Sequence, residues 1–192
     1  MSENTPTSRQ HAIEMARQKI AEKPIYLDTE TTGLDRSDEI VEISIIDFDG
    51  SVLFESLVRP SKAISPAASQ VNHITNEMVK SASTWPALWP QVRSILFGRV
   101  IGMYNADFDL RMMQQSLTVY RLPWREKFNS FDILTIYSEY RGVWDPIRGS
   151  LKWFRLEEAG RQLGITIPNA HRAMQDTLLT RAVLHSIASL PH

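Results

Sequence analysis

The sequence predicts an α/β protein: a five-stranded mixed sheet that opens with an antiparallel meander and carries helices on both faces. Three observations lead there. Three β-rich runs follow one another between residues 24 and 60, and from residue 66 helical periodicities alternate with two further short apolar strands. At 192 residues and 22.0 kDa, the chain is of a size that encloses one core and rarely divides into two.

Residues 8–22, "SRQHAIEMARQKIAE", place Ile13, Ala16 and Ile20 at helical spacing after a capping Ser8, and Pro24 ends the run. We read residues 1–23 as a helical lead-in and 24–192 as the functional domain. "PIYLDTE" is a strand, and "TTGLDRSD" is rich in turn formers. "EIVEISIIDFDGSVLFESLVRP" is a hairpin turning at Asp49-Gly50. Helices follow in "SPAASQVNHITNEMVKSA" and "TWPALWPQVRSILFG", then a strand in "RVIGMYN" and a helix in "DFDLRMMQQSLTVY". "KFNSFDI" supplies a fifth strand and "DILTIYSEY" another helix. "RGVWDPIRGSLKW" has no clear period and reads as an irregular loop, and two helices, "RLEEAGRQLGI" and "HRAMQDTLLTRAVLHSIASL", close the chain.

The composition, 43% apolar and 22% charged, is that of an ordinary globular chain and excludes disordered and fibrous classes. No apolar run is long enough to span a bilayer, and "MSENTPTSRQ" lacks the order of a secretory signal. Cysteine is absent, which removes thiol nucleophiles, disulfides and thiolate zinc sites and fits a reducing, cytoplasmic setting. A net charge of −1 argues against a broad basic surface for duplex DNA. That total still allows modest phosphate contact if several acids are gathered in one pocket.

The acids have a pattern. Alternation along a strand puts Tyr26, Asp28 and Glu30 on one face and Ile25, Leu27 and Thr29 on the other. Two neighbouring carboxylates raise each other's pKa unless a positive charge lies between them, and a divalent cation is the simplest such charge. In the helix beginning near Phe108, the inward stripe runs through Asp109, Met112, Met113, Ser116 and Tyr120, so an acid falls among core residues. In the last helix the stripe of Leu179, Val183 and Ile187 extends back to Asp176. Four carboxylates facing one pocket suit Mg²⁺ or Mn²⁺. His171, five residues before Asp176, is a candidate general base, and a two-metal hydrolytic site is the chemistry these residues suggest.

With those residues in place, the sequence resembles the DEDDh group of 3′→5′ exonucleases, the DnaQ-like nucleases of the ribonuclease H-like fold. Three motifs occur in order: "LDTETTGL" with Asp28 and Glu30, "YNADFDL" with Asp109, and "HRAMQD" with His171 and Asp176. The likeness extends from about Pro24 to about Ala188. It implies that Asp28, Glu30, Asp109 and Asp176 hold two Mg²⁺ or Mn²⁺ ions, that His171 deprotonates the attacking water, and that Asp107 is an extra acid. It further implies that Thr31, Thr32 and Gly33 approach the terminal nucleotide and that Asn105 braces the second motif or contacts substrate. The implied reaction releases nucleoside 5′-monophosphates from single-stranded 3′ ends, with DNA ranked before RNA. Alternatives are RNA trimming, or a proofreading or docking subunit of a polymerase or other nucleic-acid machine.

Two departures from the family pattern bear on substrate contacts. Asn72 and His73 stand where many relatives have His-Gly, and Tyr104 stands where many have His. Of the five tryptophans, Trp85 and Trp89 share a helical face and are expected to pack on the sheet. Trp144 and Trp153 lie among Arg141, Arg148, Lys152 and Arg155 and form a candidate surface for a nucleic-acid strand.

Overall fold

The computed structural model describes residues 8–166 and 171–191; the first seven residues of the lead-in, on which the reading of the N-terminus partly rests, lie outside that range. Helix α1 (Ser8–Ala21) is followed by β1 (Ile25–Thr31), β2 (Ile40–Ile46) and β3 (Val52–Leu57). These are the predicted meander: β1 pairs antiparallel with β2, and β2 with β3. Gly50, at φ 95°, makes the turn between β2 and β3 that Asp49-Gly50 suggested.

The helical region after residue 66 begins with α2 (Pro66–Asn72) and α3 (Asn76–Val79), then α4 (Trp85–Leu96). What the sequence presents as one helical stretch is divided because His73 adopts the left-handed conformation, φ 59° and ψ 18°, and ends α2. Strand β4 (Val100–Met103) leads to α5 (Ala106–Val119), and β5 (Asn129–Asp132) to α6 (Ile133–Arg141). Strands β4 and β5 run parallel to β1, giving the order β3-β2-β1-β4-β5. The mixed five-stranded sheet is thus as expected, with β1 at its centre.

The stretch expected to be irregular contains a small hairpin, β6 (Trp144–Asp145) with β7 (Ser150–Leu151). The chain ends with α7 (Leu156–Gln162) and α8 (Ala173–Ala188).

Alternation in the strands sorts the two layers. Ile25, Leu27, Ile43 and Ile45 point toward Val92 and Leu96 of α4 and Met112 and Met113 of α5. Tyr26 and Ile46 point the other way, toward Ala12, Ile13 and Ala16 of α1, Ile136 and Tyr137 of α6, and Val183, Leu184 and Ile187 of α8. The stripes read from sequence are the buried ones: Asp109, Met112, Met113 and Ser116 in α5, and Leu179, Val183 and Ile187 in α8, whereas Tyr120 lies just past the end of α5 and is half-buried. Trp85 is buried against this sheet face, donates its indole N–H to the Met113 carbonyl at 3.1 Å, and stacks with Trp89. Among the described residues, no helix is long and apolar enough to cross a membrane.

Candidate active site

The end of β1 carries Asp28 and Glu30 toward α8, and the first turn of α8 carries Asp176 toward them. One carboxylate oxygen from each of the three lies within 4.8 Å of the other two. Buried and crowded together, each resists ionisation. Burial and then the charges of Asp109, Asp176, Glu30 and Glu42 push Asp28 well above the carboxylate range. Burial, reinforced by Asp176 and Glu42, lifts Glu30 to about 8, although a hydrogen bond from Asn72 opposes the shift. Asp176 is lifted to about 6, chiefly by burial, with the His171 backbone N–H pulling it down.

Asp109 reaches the same region from the opposite layer. It is buried at the start of α5, accepts a 2.7 Å hydrogen bond from the Thr29 hydroxyl, and is raised to about 7 by burial against the pull of that bond. The three-carboxylate cluster comprises Asp28, Glu30 and Asp176; Asp109 lies outside it, close enough for its charge to act on Asp28. Asp107 is exposed, as expected of an extra acid.

A long-range pair aligns the third motif. Glu42, buried on β2, is the cross-strand partner of Glu30. It takes a forked contact from the Arg172 guanidinium and a 2.9 Å hydrogen bond from the Ala173 backbone N–H. These contacts seat the N-terminus of α8 on the sheet between His171 and Asp176. Neither Glu42 nor Arg172 stood out in the sequence. The available signal was an acid in the otherwise apolar run "IVEISII", on the strand face shared with Ser44 and Ile46.

His171 is half-buried, with φ 68°, and its backbone N–H points to Asp176 Oδ1 at 3.3 Å. Its ring is engaged by Glu157 of α7, Oε1 to Nε2 at 3.0 Å, a partner that sequence reasoning also missed.

Beside Glu30 a cleft of about 480 Å³ opens between the turn after β1, α2 and Phe108, with Leu34, Val71 and Phe108 as its apolar walls. Thr31 and Gly33 line it; the Thr31 hydroxyl donates to the Gly33 carbonyl at 2.7 Å. Gly33 is dictated by space, since a Cβ there would sit 2.5 Å from Asp38 Oδ2. That carboxylate is itself held by Thr32, Asp35 and Lys62, each at 2.7 Å.

Thr32 does not join Thr31 and Gly33. It is fully buried, its hydroxyl bonds Asp38 and accepts from Glu39 N–H, and its own N–H donates to the Glu39 carbonyl at 2.9 Å. No group on it is left for a nucleotide, because the strand pairing continues one residue beyond the turn that "TTG" suggests. Asn105 sits before α5 at φ 71°, held by its N–H to Asp132 Oδ1 at 2.9 Å, with no side-chain cap to the helix. Asn72 is buried, its amide donating to the Thr31 carbonyl at 3.2 Å, and it lines the cleft.

A sheet of this strand order, with a carboxylate cluster at the end of its central strand, defines a nuclease of the ribonuclease H-like type. The family model described as exonuclease matches residues 25–184. The chain belongs to that family, the DnaQ-like exonucleases. It is 35% identical over 180 residues to the uncharacterized exonuclease CP81 of Escherichia phage 186, covering 90% of this chain and 92% of that one. It is 29% identical to DNA polymerase III subunit epsilon of Treponema pallidum, covering 82% and 75%. Among solved structures, exonuclease X in complex with 5′ overhanging duplex DNA superposes with a TM-score of 0.62 at 26% identity over 85% of this chain and 89% of that one. E. coli exonuclease I in complex with a dA16 oligonucleotide gives 0.66 at 22% identity over 82% of this chain, which spans 39% of that longer protein. The chain is an enzyme of the 3′→5′ exonuclease class and binds nucleic acid, and the family is metal-dependent.

Proposed function

We propose that this protein removes nucleoside 5′-monophosphates one at a time from the 3′ ends of single-stranded DNA, using two Mg²⁺ or Mn²⁺ ions. The observation that carries this reading is the convergence of Asp28, Glu30 and Asp176, one carboxylate oxygen of each within 4.8 Å of the others. Hard carboxylate oxygens, crowded until their pKa values rise, fit a hard divalent cation. Asp28, Glu30 and Asp176 would hold the ions, and Asp109 would complete the set from the Thr29 side. Bound there, such ions supply charge neutralisation at the phosphate and activation of water.

The remaining work falls to the chain. His171 takes the proton of the attacking water. The Glu157 carboxylate orients the ring through Nε2, so that Nδ1 carries the lone pair. Attack at the terminal phosphorus breaks its bond to the 3′ oxygen of the preceding nucleotide, freeing a 5′-monophosphate and a new 3′ hydroxyl. The cleft beside Glu30 is of a size for the terminal nucleoside, with Leu34, Val71 and Phe108 against the base and Thr31, Gly33 and Asn72 at its polar edge. Asn105, at the head of α5, braces the second motif.

The DNA preference rests on relatives whose names and complexes refer to DNA. A role beside a polymerase is the second reading, favoured by the likeness to the epsilon subunit. Residues 24–192 form the exonuclease unit in this reading, with α1 as a lead-in docked on α6 and α8, and the absence of cysteine suits a cytoplasmic setting.

The test is a time course with Mg²⁺ on matched DNA and RNA single strands labelled at the 5′ end, with Asp28→Asn as control. A ladder shortening from the 3′ end on DNA is expected. Selective shortening of RNA would move the protein to RNA trimming, and intact strands of both kinds would overturn the catalytic reading.

A further inference from the structure

The β6–β7 hairpin is the most exposed apolar feature of the molecule that the site just described leaves unexplained. Ile147 at its tip is 96% exposed, and Trp144 and Trp153 on its flanks are 61% and 56% exposed. Exposed side chains of this size grouped on one small element mark a binding surface.

The hairpin is preformed. Asp145 Oδ1 accepts from the backbone N–H groups of Ile147 at 2.9 Å and Arg148 at 3.3 Å, Gly149 takes φ 63°, and its N–H closes the turn onto the Asp145 carbonyl at 2.9 Å. Lys152 N–H bonds the Val143 carbonyl at 2.8 Å at the base. The tryptophans therefore project from a rigid ribbon, so that little ordering entropy opposes binding.

The patch is basic as well as aromatic. Between residues 141 and 155 stand four cations, Arg141, Arg148, Lys152 and Arg155, against one acid, Asp145, in a chain whose net charge is −1. Asp145 is engaged in the turn through Oδ1, and its Oδ2 lies 3.7 Å from Arg148 Nε, a long, part-exposed pair that a phosphate can displace. The Arg148 guanidinium lies 5.2 Å from the Trp153 ring.

The base of the hairpin is tied to the active site on two sides. Phe154, next to Trp153, gives its carbonyl to the Tyr104 hydroxyl at 2.8 Å, and Tyr104 directly precedes Asn105 and the second motif. Glu157, at the start of the following helix, holds the His171 ring.

We propose that this hairpin is a platform for the single-stranded part of the substrate lying 5′ of the nucleotide being removed, with bases stacking on Trp144 and Trp153 and phosphates meeting Arg148 and Lys152. The proposal rests on the exonuclease reading above and adds where the rest of the strand is held. Exposed indoles beside cations are what a sequence-tolerant grip on a single strand requires, since every base has a π-face and every nucleotide a phosphate.

Two variants test it, Trp144→Ala/Trp153→Ala and Arg148→Gln/Lys152→Gln, each compared with wild type on two substrates. The p-nitrophenyl ester of thymidine 5′-monophosphate has no upstream strand, and its hydrolysis should change less than about twofold. On a long single strand, KM should rise about tenfold or more in the tryptophan variant. In the charge variant, the slope of log affinity against log salt should be shallower by about 1.4, since two phosphate contacts on a single strand are lost. Anisotropy titrations of a labelled single strand without divalent cation read the same contacts independently of turnover. Unchanged KM and binding in both variants, with ester hydrolysis intact, would overturn the platform and point to a protein partner for the hairpin. Should wild type cleave neither substrate, the catalytic reading fails, and the titrations still decide the platform. If the tryptophan variant does not fold, the charge variant alone decides.

Discussion

Glu30 and Glu42 face each other across the β1–β2 pairing, and among the described residues it is Glu42 that forms the ion pair, with Arg172. Glu42 is neutralised by the protein itself, and in the proposed reaction a metal ion would neutralise Glu30. Glu42→Gln should therefore loosen the start of α8 and, with it, the seat of Asp176, while Asp28 and Glu30 stay in place on β1. We expect kcat to fall at least tenfold with KM for the nucleotide little changed. Stability should fall by about 1–3 kcal/mol, less than for a fully buried pair because Arg172 is one-third exposed. Arg172→Lys should show the same defect in milder form, because a lysine cannot fork. Full activity in Glu42→Gln, with chemical denaturation unchanged, would remove the pair from the positioning of α8.

Replacing Asp28 by Asn should lower turnover by about 10³-fold, since an anionic ligand for the metal ions of the proposed site is lost. The same variant should melt at a higher temperature than wild type at pH 8 without divalent cation, because it removes one of four crowded acids. A variant that is both active and unstable would contradict both expectations.

The pH dependence has a definite sign. Folding raises Asp28, Glu30, Asp109 and Asp176 above their unfolded values, so between about pH 4 and pH 8 the folded state binds more protons than the unfolded one. The metal-free protein is therefore most stable at mildly acidic pH and loses stability as pH rises through the folded values, Glu30 at about 8 being the last of those with a value. Adding Mg²⁺ should restore the lost stability, with a larger increment at pH 8 than at pH 6, and release protons on binding. Thermal melts across pH with and without Mg²⁺ test the sign; calorimetry in buffers of different ionisation enthalpy counts the protons.

The contact between Glu157 and His171 predicts a graded pair of defects. His171→Ala should lower kcat by about 10² to 10⁴ while metal affinity persists. Glu157→Gln should cost about tenfold in kcat with KM little changed, because the ring loses the partner that orients it. Calorimetry showing lost metal affinity in His171→Ala would contradict its role as base.

His73 ends α2 in a left-handed conformation that glycine adopts without strain. His73→Gly should raise stability by about 1 kcal/mol, or about 2–4 °C in Tm for a chain of this size. Activity should be unchanged if His73 has no part in the cleft; a loss would assign its imidazole to substrate.

The strands were legible because alternation and Asp49-Gly50 specify them locally, and Asp109 and Asp176 were legible because each interrupts an apolar stripe. Other features depend on partners far along the chain. Glu42 and Arg172 meet only once α8 lies on β2, and the inward turn of Thr32 depends on Asp38 and Glu39 folding back over it. The β6–β7 hairpin escaped because two-residue strands have no period to detect. The division between α2 and α3 was hidden because the left-handed residue is a histidine, where a glycine would have announced it.

The centre of the sheet also dictates when the enzyme can exist at all. Strand β1 offers Asp28 to the α8 layer and Thr29, with its hold on Asp109, to the α5 layer, so neither layer alone makes a site. Asp176 belongs to α8, whose first residue is bonded through its N–H to Glu42 of the sheet. On the proposed site, a chain in which α8 has not yet docked on the sheet is expected to be catalytically silent, the capacity to degrade nucleic acid appearing only once Asp176 reaches Asp28 and Glu30.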